Sequence, residues 1–322
     1  MTCVFDIETI PDFHLLSSTF GYEGTPLQIA QAAFKAQYEK SGSEFLPICF
    51  HRVISIASVI CDEYGRFVKV GNFGNAFIES AFIESTPSEG VDSINEPTSR
   101  TFLDTLESTL LSEFWQFINK NNPKLVSFNG RGFDIPTMLL RAMRYNIGAW
   151  AYFEQKNPAL NKSKWDNYRV RYCEDFHTDL YESLGHFGAA RNLNLDALCK
   201  MLDLVGKYDM SGAQVYETYL GESISDKNTE STDIESKKAA LEVINHYCHS
   251  DVLNTYWLYL KYEVLRGVLL ESDYYALLEI LHERLPKDKP YSQIFTATLK
   301  RHIADYARTN AQHTDSITLD SI

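Results

Sequence analysis

The chain opens on Thr2-Cys3-Val4-Phe5-Asp6-Ile7-Glu8-Thr9, a mixed apolar and acidic run closed by Pro11 and Asp12, which reads as a short strand. Residues 26–40 carry Ala and Gln at helical spacing and predict a short helix. Arg52-Val53-Ile54-Ser55-Ile56-Ala57-Ser58-Val59-Ile60-Cys61 is rich in β-branched side chains and apolar almost throughout, the pattern of a strand buried on both faces. Gly65 then turns the chain into Arg66–Gly71, an antiparallel return strand.

Residues 84–100 are rich in Ser, Pro, Glu and Asn and read as a surface loop. From Thr101 to Asn119 the apolar residues Phe102, Leu103, Leu106, Leu110, Phe114 and Phe117 recur at helical spacing. Lys124–Phe128 predicts a strand, Asn129-Gly130 a turn and Ile135–Tyr145 a helix, with further helices over Leu193–Leu202 and Ala239–Leu265. The order β, α, β-hairpin, α, β, α and then mostly helices implies an α/β fold with a mixed central sheet flanked by helices. The expected organisation is one domain over 1–265 and a C-terminal helical extension over 266–322 ending in a frayed polar tail. No internal repeat is visible.

Composition narrows the class. The hydrophobic fraction of 44% is ordinary for a globular protein, and 322 residues can bury a sizeable core without disulfides or a structural metal. The six cysteines form no CxxC pair, which speaks against a zinc ribbon or redox motif and for a reducing compartment. With no signal-peptide pattern and no run of eighteen apolar residues, the expectation is a cytoplasmic protein without a membrane span. Net charge is −13, from 30 basic and 43 acidic residues. That disfavours a protein that coats nucleic acid nonspecifically, since phosphate binding rests on clustered Lys and Arg. An enzyme that grips one chain end through metal ions tolerates it.

Three short elements carry candidate chemistry. Asp6 and Glu8 are two apart in a strand and share a face. Flanked by apolar residues they repel each other unless a cation sits between them, and hard oxygen donors suit Mg²⁺ or Mn²⁺; solvated acids at an open strand end are the plainer alternative. Ser127-Phe128-Asn129-Gly130-Arg131-Gly132-Phe133-Asp134 is a strand, a glycine-containing turn and an acid where a helix begins. Asp134 could simply cap that helix, while Gly130 and Gly132 would let backbone approach a ligand closely. Tyr247 and Asp251 lie one turn apart on a helix, a pair that by itself reads more readily as a half-buried tyrosine beside an exposed acid.

Taken together, Asp6-Ile7-Glu8, Asn129-x-x-x-Phe133-Asp134 and Tyr247-x-x-x-Asp251 resemble, in order, the three motifs of the proofreading-type 3′–5′ exonucleases, in the subgroup with tyrosine in its third motif. More closely, the chain looks like the predicted stand-alone bacterial exonucleases related to the editing domain of family-B DNA polymerases. Phe5–Pro11 and the segment 206–212 add to that likeness, which spans roughly residues 1–265. The resemblance implies a ribonuclease H-like fold and hydrolysis at the 3′ end of nucleic acid, with single-stranded DNA favoured over RNA as partner. It also implies two Mg²⁺ or Mn²⁺ ions held by Asp6, Glu8, Asp134 and Asp251. Asp6 would bridge them, Glu8 and Asp251 would complete one site, and Asp134 would hold the second ion through water. Tyr247 would orient the attacking water, because an ordinary phenol with a pKa near ~10 is a poor base.

Substrate contacts are expected from Asn129, Arg131, Phe133 and Lys207. Phe133 could stack on a terminal base or plug the loop from below, and Arg131 and Lys207 could meet phosphate or merely solvent. His177, His246 and His249 read as structural or incidental. An exoribonuclease shares the same acid set. A non-catalytic nucleic-acid-binding protein on this fold is expected to have lost some of the acids, and none is missing here.

Overall fold

The computed structural model describes residues 1–83, 98–207, 210, 212–220 and 230–319. A mixed five-stranded sheet has the order β3-β2-β1-β4-β5, built from β1 (Thr2–Pro11), β2 (His51–Cys61), β3 (Phe67–Asn72), β4 (Lys124–Ser127) and β5 (His177–Asp179). β2 runs antiparallel to both β1 and β3, and β4 runs parallel to both β1 and β5. The helices are α1 (Phe13–Phe20), α2 (Pro26–Ser41), α3 (Asn75–Ile83), α4 (Arg100–Asn121), α5 (Asp134–Arg144), α6 (Trp150–Phe153), α7 (Leu180–Leu184), α8 (Leu195–Met201), α9 (Gly212–Leu220), α10 (Glu230–Leu265), α11 (Glu271–Arg284) and α12 (Ser292–Leu319). This is the α/β arrangement with a mixed sheet that the pattern of the sequence implies, and it is consistent with the ribonuclease H-like fold that the resemblance implies.

Local chemistry sets the boundaries. Thr25 caps α2 through a reciprocal pair with Gln28, and Pro26 sits in the first turn. The Ser99 hydroxyl accepts from the Phe102 N–H to start α4, and Asn122 in a left-handed conformation ends it. The turn at Gly65 is fastened by the Asp62 carboxylate, which accepts from the Tyr64 and Arg66 N–H groups.

Alternation along β1 divides its side chains between two packed layers. Cys3, Phe5 and Ile7 join Leu103, Leu106 and Phe114 of α4 and Met138 of α5. Val4 joins Val126 of β4 and Val252 and Tyr256 of α10. Asp6 and Glu8 share the parity of Val4, which turns them toward the layer that holds α10.

Several elements depart from the expectation. β1 continues through Pro11. α1, α3, α9 and the short strand β5, which begins at His177, were not foreseen, and α10 starts earlier than Ala239. Of the segment read as a loop over 84–100, Arg100 opens α4, and 84–97 lie outside the described residues. The extension consists of α11 and α12, the latter helical to Leu319. No helix among the described residues is long and apolar enough to cross a membrane.

Candidate active site

β1 pairs with β4 only over Thr2–Val4, because β4 stops at Ser127. Among the described residues, β1 has no register partner in β4 beyond Val4. The Ile7 N–H donates to Oδ1 of Asp134 at 3.1 Å. Asp134 is the first residue of α5, and its carboxylate ties that helix to the strand bearing Asp6 and Glu8, so helix capping alone does not account for it. On the other edge, Asp6 stands opposite Ala57 and Glu8 opposite Ser55, just before a bulge that leaves Ile54 extra on β2.

The loop from Phe128 to Phe133 is held open by Asp179, whose two oxygens accept from the Asn129 and Arg131 N–H groups at 2.8 Å each. Asp179 also caps α7. Asn129 adopts a positive φ of 66°, and its carbonyl accepts from Gly132 and Phe133. The two glycines are required by packing: a side chain at Gly130 would overlap Ser127, and one at Gly132 would overlap the Asn129 amide. Ser127 is itself fixed, its hydroxyl 2.8 Å from His177 Nε2. His177 is fully buried, and burial pushes its pKa well down, so it is a neutral structural histidine.

α10 brings Tyr247, Cys248 and Asp251 against β1. Tyr247 lies beside Asp251 and acts on its ionisation, and the Asp251 Oδ1 is buried without a hydrogen-bond partner among the described residues. Burial, and then the charges of Asp251, Glu8 and Asp6, push the Tyr247 pKa far upward, so the phenol keeps its proton. The Cys248 thiol lies 3.6 Å from the Asp6 carbonyl and 3.8 Å from Asp6 Oδ2. Ligand atoms of Asp6, Glu8 and Cys248 fall within 4.8 Å of one another. Asp134 and Asp251 stand outside that tight group, yet their charges act on both Asp6 and Glu8.

All four carboxyls are shifted upward. Burial is the first cause for each. Asp6 is raised further by Asp134, Glu8 and Asp251, and Glu8 by Asp251 and Asp134. Lys207 opposes this at Asp6, Glu8 and Asp251, with Nζ 5.6 Å from the centre of the Tyr247 ring. The backbone on its N-terminal side is pinned: the Asn254 side-chain amide makes two hydrogen bonds to the backbone of Gly206, and the Lys207 N–H donates to Asp196. Tyr208, Asp209 and Ser211 of the same segment lie outside the described residues.

Buried acids that repel one another, with an unpaired carboxylate oxygen among them, are the donor chemistry that divalent cations neutralise. The closely grouped oxygens of Asp6 and Glu8, with the charges of Asp134 and Asp251 acting on them, are a donor set whose chemistry suits a hard divalent cation.

The other sequence-derived contacts divide. Lys207 joins the acids. Phe133 packs edge-on to Phe45 and His51, at 5.4 and 5.1 Å between ring centres, and with Glu8, Phe34 and Tyr216 it lines a mostly apolar cleft of about 320 Å³. Asn129 shapes the loop. The Arg131 guanidinium does not meet the acids; it donates to the carbonyls of Tyr168, Val170 and His177 at 2.9–3.3 Å and clamps the approach to β5. His249 is buried against the Tyr291 hydroxyl and His246 packs beside the same ring, which leaves both outside the cluster. Asp179, Asn254 and Cys248 escaped the sequence reading. Asp179 immediately before a helix carried a capping signal, and Asn254 follows Asp251 by three positions on one helix face.

A five-stranded mixed sheet with acids converging from a central strand, a helix start and a late helix is the layout of a ribonuclease H-like nuclease. The chain belongs to the family described as predicted 3′–5′ exonucleases related to the exonuclease domain of PolB, which matches residues 43–306. The matched span holds Asp134, Tyr247 and Asp251 but begins after β1, so Asp6 and Glu8 enter the site on the strength of strand pairing and geometry. No curated protein matches the chain.

Proposed function

We propose that the protein is a divalent-cation-dependent 3′–5′ exonuclease acting on single-stranded DNA ends. The observation that carries this is the convergence of four carboxyls, one tyrosine hydroxyl and one lysine from separate stretches of chain, on a fold whose family is a nuclease one.

Asp6, Glu8 and Asp251 would hold one cation and Asp134, with Asp6, a second. Bound there, the ions supply an activated hydroxide and stabilise the leaving 3′ oxygen. Tyr247 keeps its proton at neutral pH, so it serves as a donor that positions a water molecule and does not take a proton from it. Lys207 offers positive charge to a phosphate beside the acids. The cleft walled by Phe133, Phe34 and Tyr216 opens beside Glu8 and suits an unstacked base, which favours a single-stranded or frayed end. Cysteines without a CxxC pair suit a reducing, cytoplasmic setting.

Timed digestion of 5′-labelled single- and double-stranded DNA and RNA tests the reading. Shortening from the 3′ end is expected with Mg²⁺ or Mn²⁺, fastest on single-stranded DNA, and is expected to vanish in EDTA and in Asp6→Ala. Tyr247→Phe should retain the fold and lose about 10²-fold in rate, the lower end of what a positioned proton-bearing group contributes. A ladder that persists in EDTA, or in Asp6→Ala, overturns the mechanism; RNA cut as fast as DNA transfers the assignment to an exoribonuclease.

A further inference from the structure

Between α11 and α12 lies an open groove of about 1040 Å³, lined by His282, Glu283, Lys287, Asp288, Lys289 and Lys300 among others. We propose that this groove is a track for the sugar–phosphate backbone of a single strand whose 3′ end is seated at the acid cluster; the proposal rests on the nuclease reading for the direction of the strand.

Charge is the first support. Across the whole chain acids outnumber bases, 43 to 30, yet the groove carries three lysines against two carboxylates. Lys289 pairs with Asp288 at 3.5 Å. Lys287 and Lys300 are exposed, with no carboxylate at ion-pair distance among the described residues. Unpaired lysines on a groove wall are what a phosphate chain needs, because each contact releases condensed counterions.

Continuity is the second support. Pro290, in the connector between α11 and α12, lines the groove and also a separate cleft of about 320 Å³ bordered by Tyr247, His246 and Val243 of α10. One wall residue thus joins the lysine-lined groove to the tyrosine of the acid cluster. The connector is fixed in place: Tyr291 is fully buried, its hydroxyl 3.3 Å from His249 Nδ1, and the Lys289 N–H donates to Ser292. The path therefore has a rigid floor, mostly apolar near the acids and cationic farther out. That sequence suits bases near the cut end and phosphates behind them.

The test replaces the three lysine side chains that line the groove. Lys287→Ala, Lys289→Ala and Lys300→Ala are combined, with the thermal transition of the triple variant as a folding check. Binding of four- and twenty-nucleotide oligothymidylates is followed by fluorescence anisotropy in EDTA, so that no cleavage occurs, at several salt concentrations. The triple variant is expected to bind the long oligomer about tenfold more weakly, with a salt slope shallower by about 2, roughly 0.7 for each phosphate contact removed on a single strand. Binding of the four-nucleotide oligomer, and hydrolysis of thymidine 5′-p-nitrophenyl phosphate with Mn²⁺, should be unchanged. Equal affinity and slope for the long oligomer in both proteins overturns the track, as does an equal loss on the short one. A wild-type protein that holds the long oligomer through these lysines but cleaves nothing keeps the track and removes the nuclease.

Discussion

Two of the acids in the cluster are held against the ordinary preference of a carboxyl group for water. Burial pushes Asp251 up to about 6, and burial followed by the charge of Asp179 pushes Asp134 up to about 7, whereas an exposed Asp titrates near ~3.9. The folded metal-free protein thus holds these protons more tightly than the unfolded chain does. Their favourable contribution to folding is complete below the unfolded value and is lost as pH rises through the folded values. The melting temperature in chelator should therefore fall between about pH 5 and about pH 8, and Mg²⁺ or Mn²⁺ should restore it by binding the ionised form. Asp251→Asn should raise the metal-free melting temperature at the alkaline end and flatten the slope. A slope identical in the two proteins would show that Asp251 ionises without cost.

The position of α5, and so of Asp134, depends on a buried ionic network one layer beneath the site. Arg141, two turns along α5 from Asp134, donates to both oxygens of Glu107 on α4 and to Asp12 at 2.9 Å. Arg52 of β2 pairs with Asp12 at 3.3 Å and Asp104 at 2.6 Å. Glu107 also accepts the Val53 N–H beside the β2 bulge, satisfying a backbone donor next to the disturbed register. Paired charges of this kind stabilise little in sum, but removing one partner strands the others in low dielectric. Arg141→Met should cost about 3–5 kcal/mol in urea unfolding and should also lower activity by letting α5, and with it Asp134, drift from Ile7. Full activity in a destabilised Arg141→Met protein would separate the network from the site.

Element lengths explain what the chain disclosed in advance. β1, β2, α4 and the later part of α10 are long and strongly patterned, and the spacing of Asp6-Ile7-Glu8 and of Tyr247 and Asp251 is local, so both can be read from residues alone. β5 spans only His177–Asp179, too short for alternation to register. α9 is short and α10 begins with the polar stretch 230–238, where no apolar stripe marks a helix. The clamp made by Arg131 was hidden for a different reason: its carbonyl partners at Tyr168, Val170 and His177 are 37–46 residues away, a relation that no spacing rule carries.

At the scale of the whole molecule, the change of helix after Leu265 does not coincide with a change of core. Leu278, Leu281, Phe295 and Leu299 of α11 and α12 are fully buried in the same cluster as Val4, Val59 and Trp257. Polar contacts seal the join. Trp257 Nε1 donates to the Tyr274 hydroxyl at 2.9 Å, Arg284 donates to the Phe67 carbonyl of β3 at 3.0 Å, and Arg301 and His302 both bond the Asp203 carbonyl. Each of those four apolar side chains contributes about 1.5–3 kcal/mol by its burial, so together they approach the roughly 5–15 kcal/mol that holds a whole domain folded. Ending the chain at Leu270 would expose Trp257 and Tyr256 on α10, the helix that also carries Tyr247 and Asp251. The expected result is a fragment that is insoluble or lacks a cooperative urea transition, while the full chain unfolds in one step by both tryptophan fluorescence and circular dichroism. A soluble 1–270 fragment that unfolds cooperatively and keeps its nuclease activity would make the last two helices a separate module, and the groove between them an accessory to an already complete site.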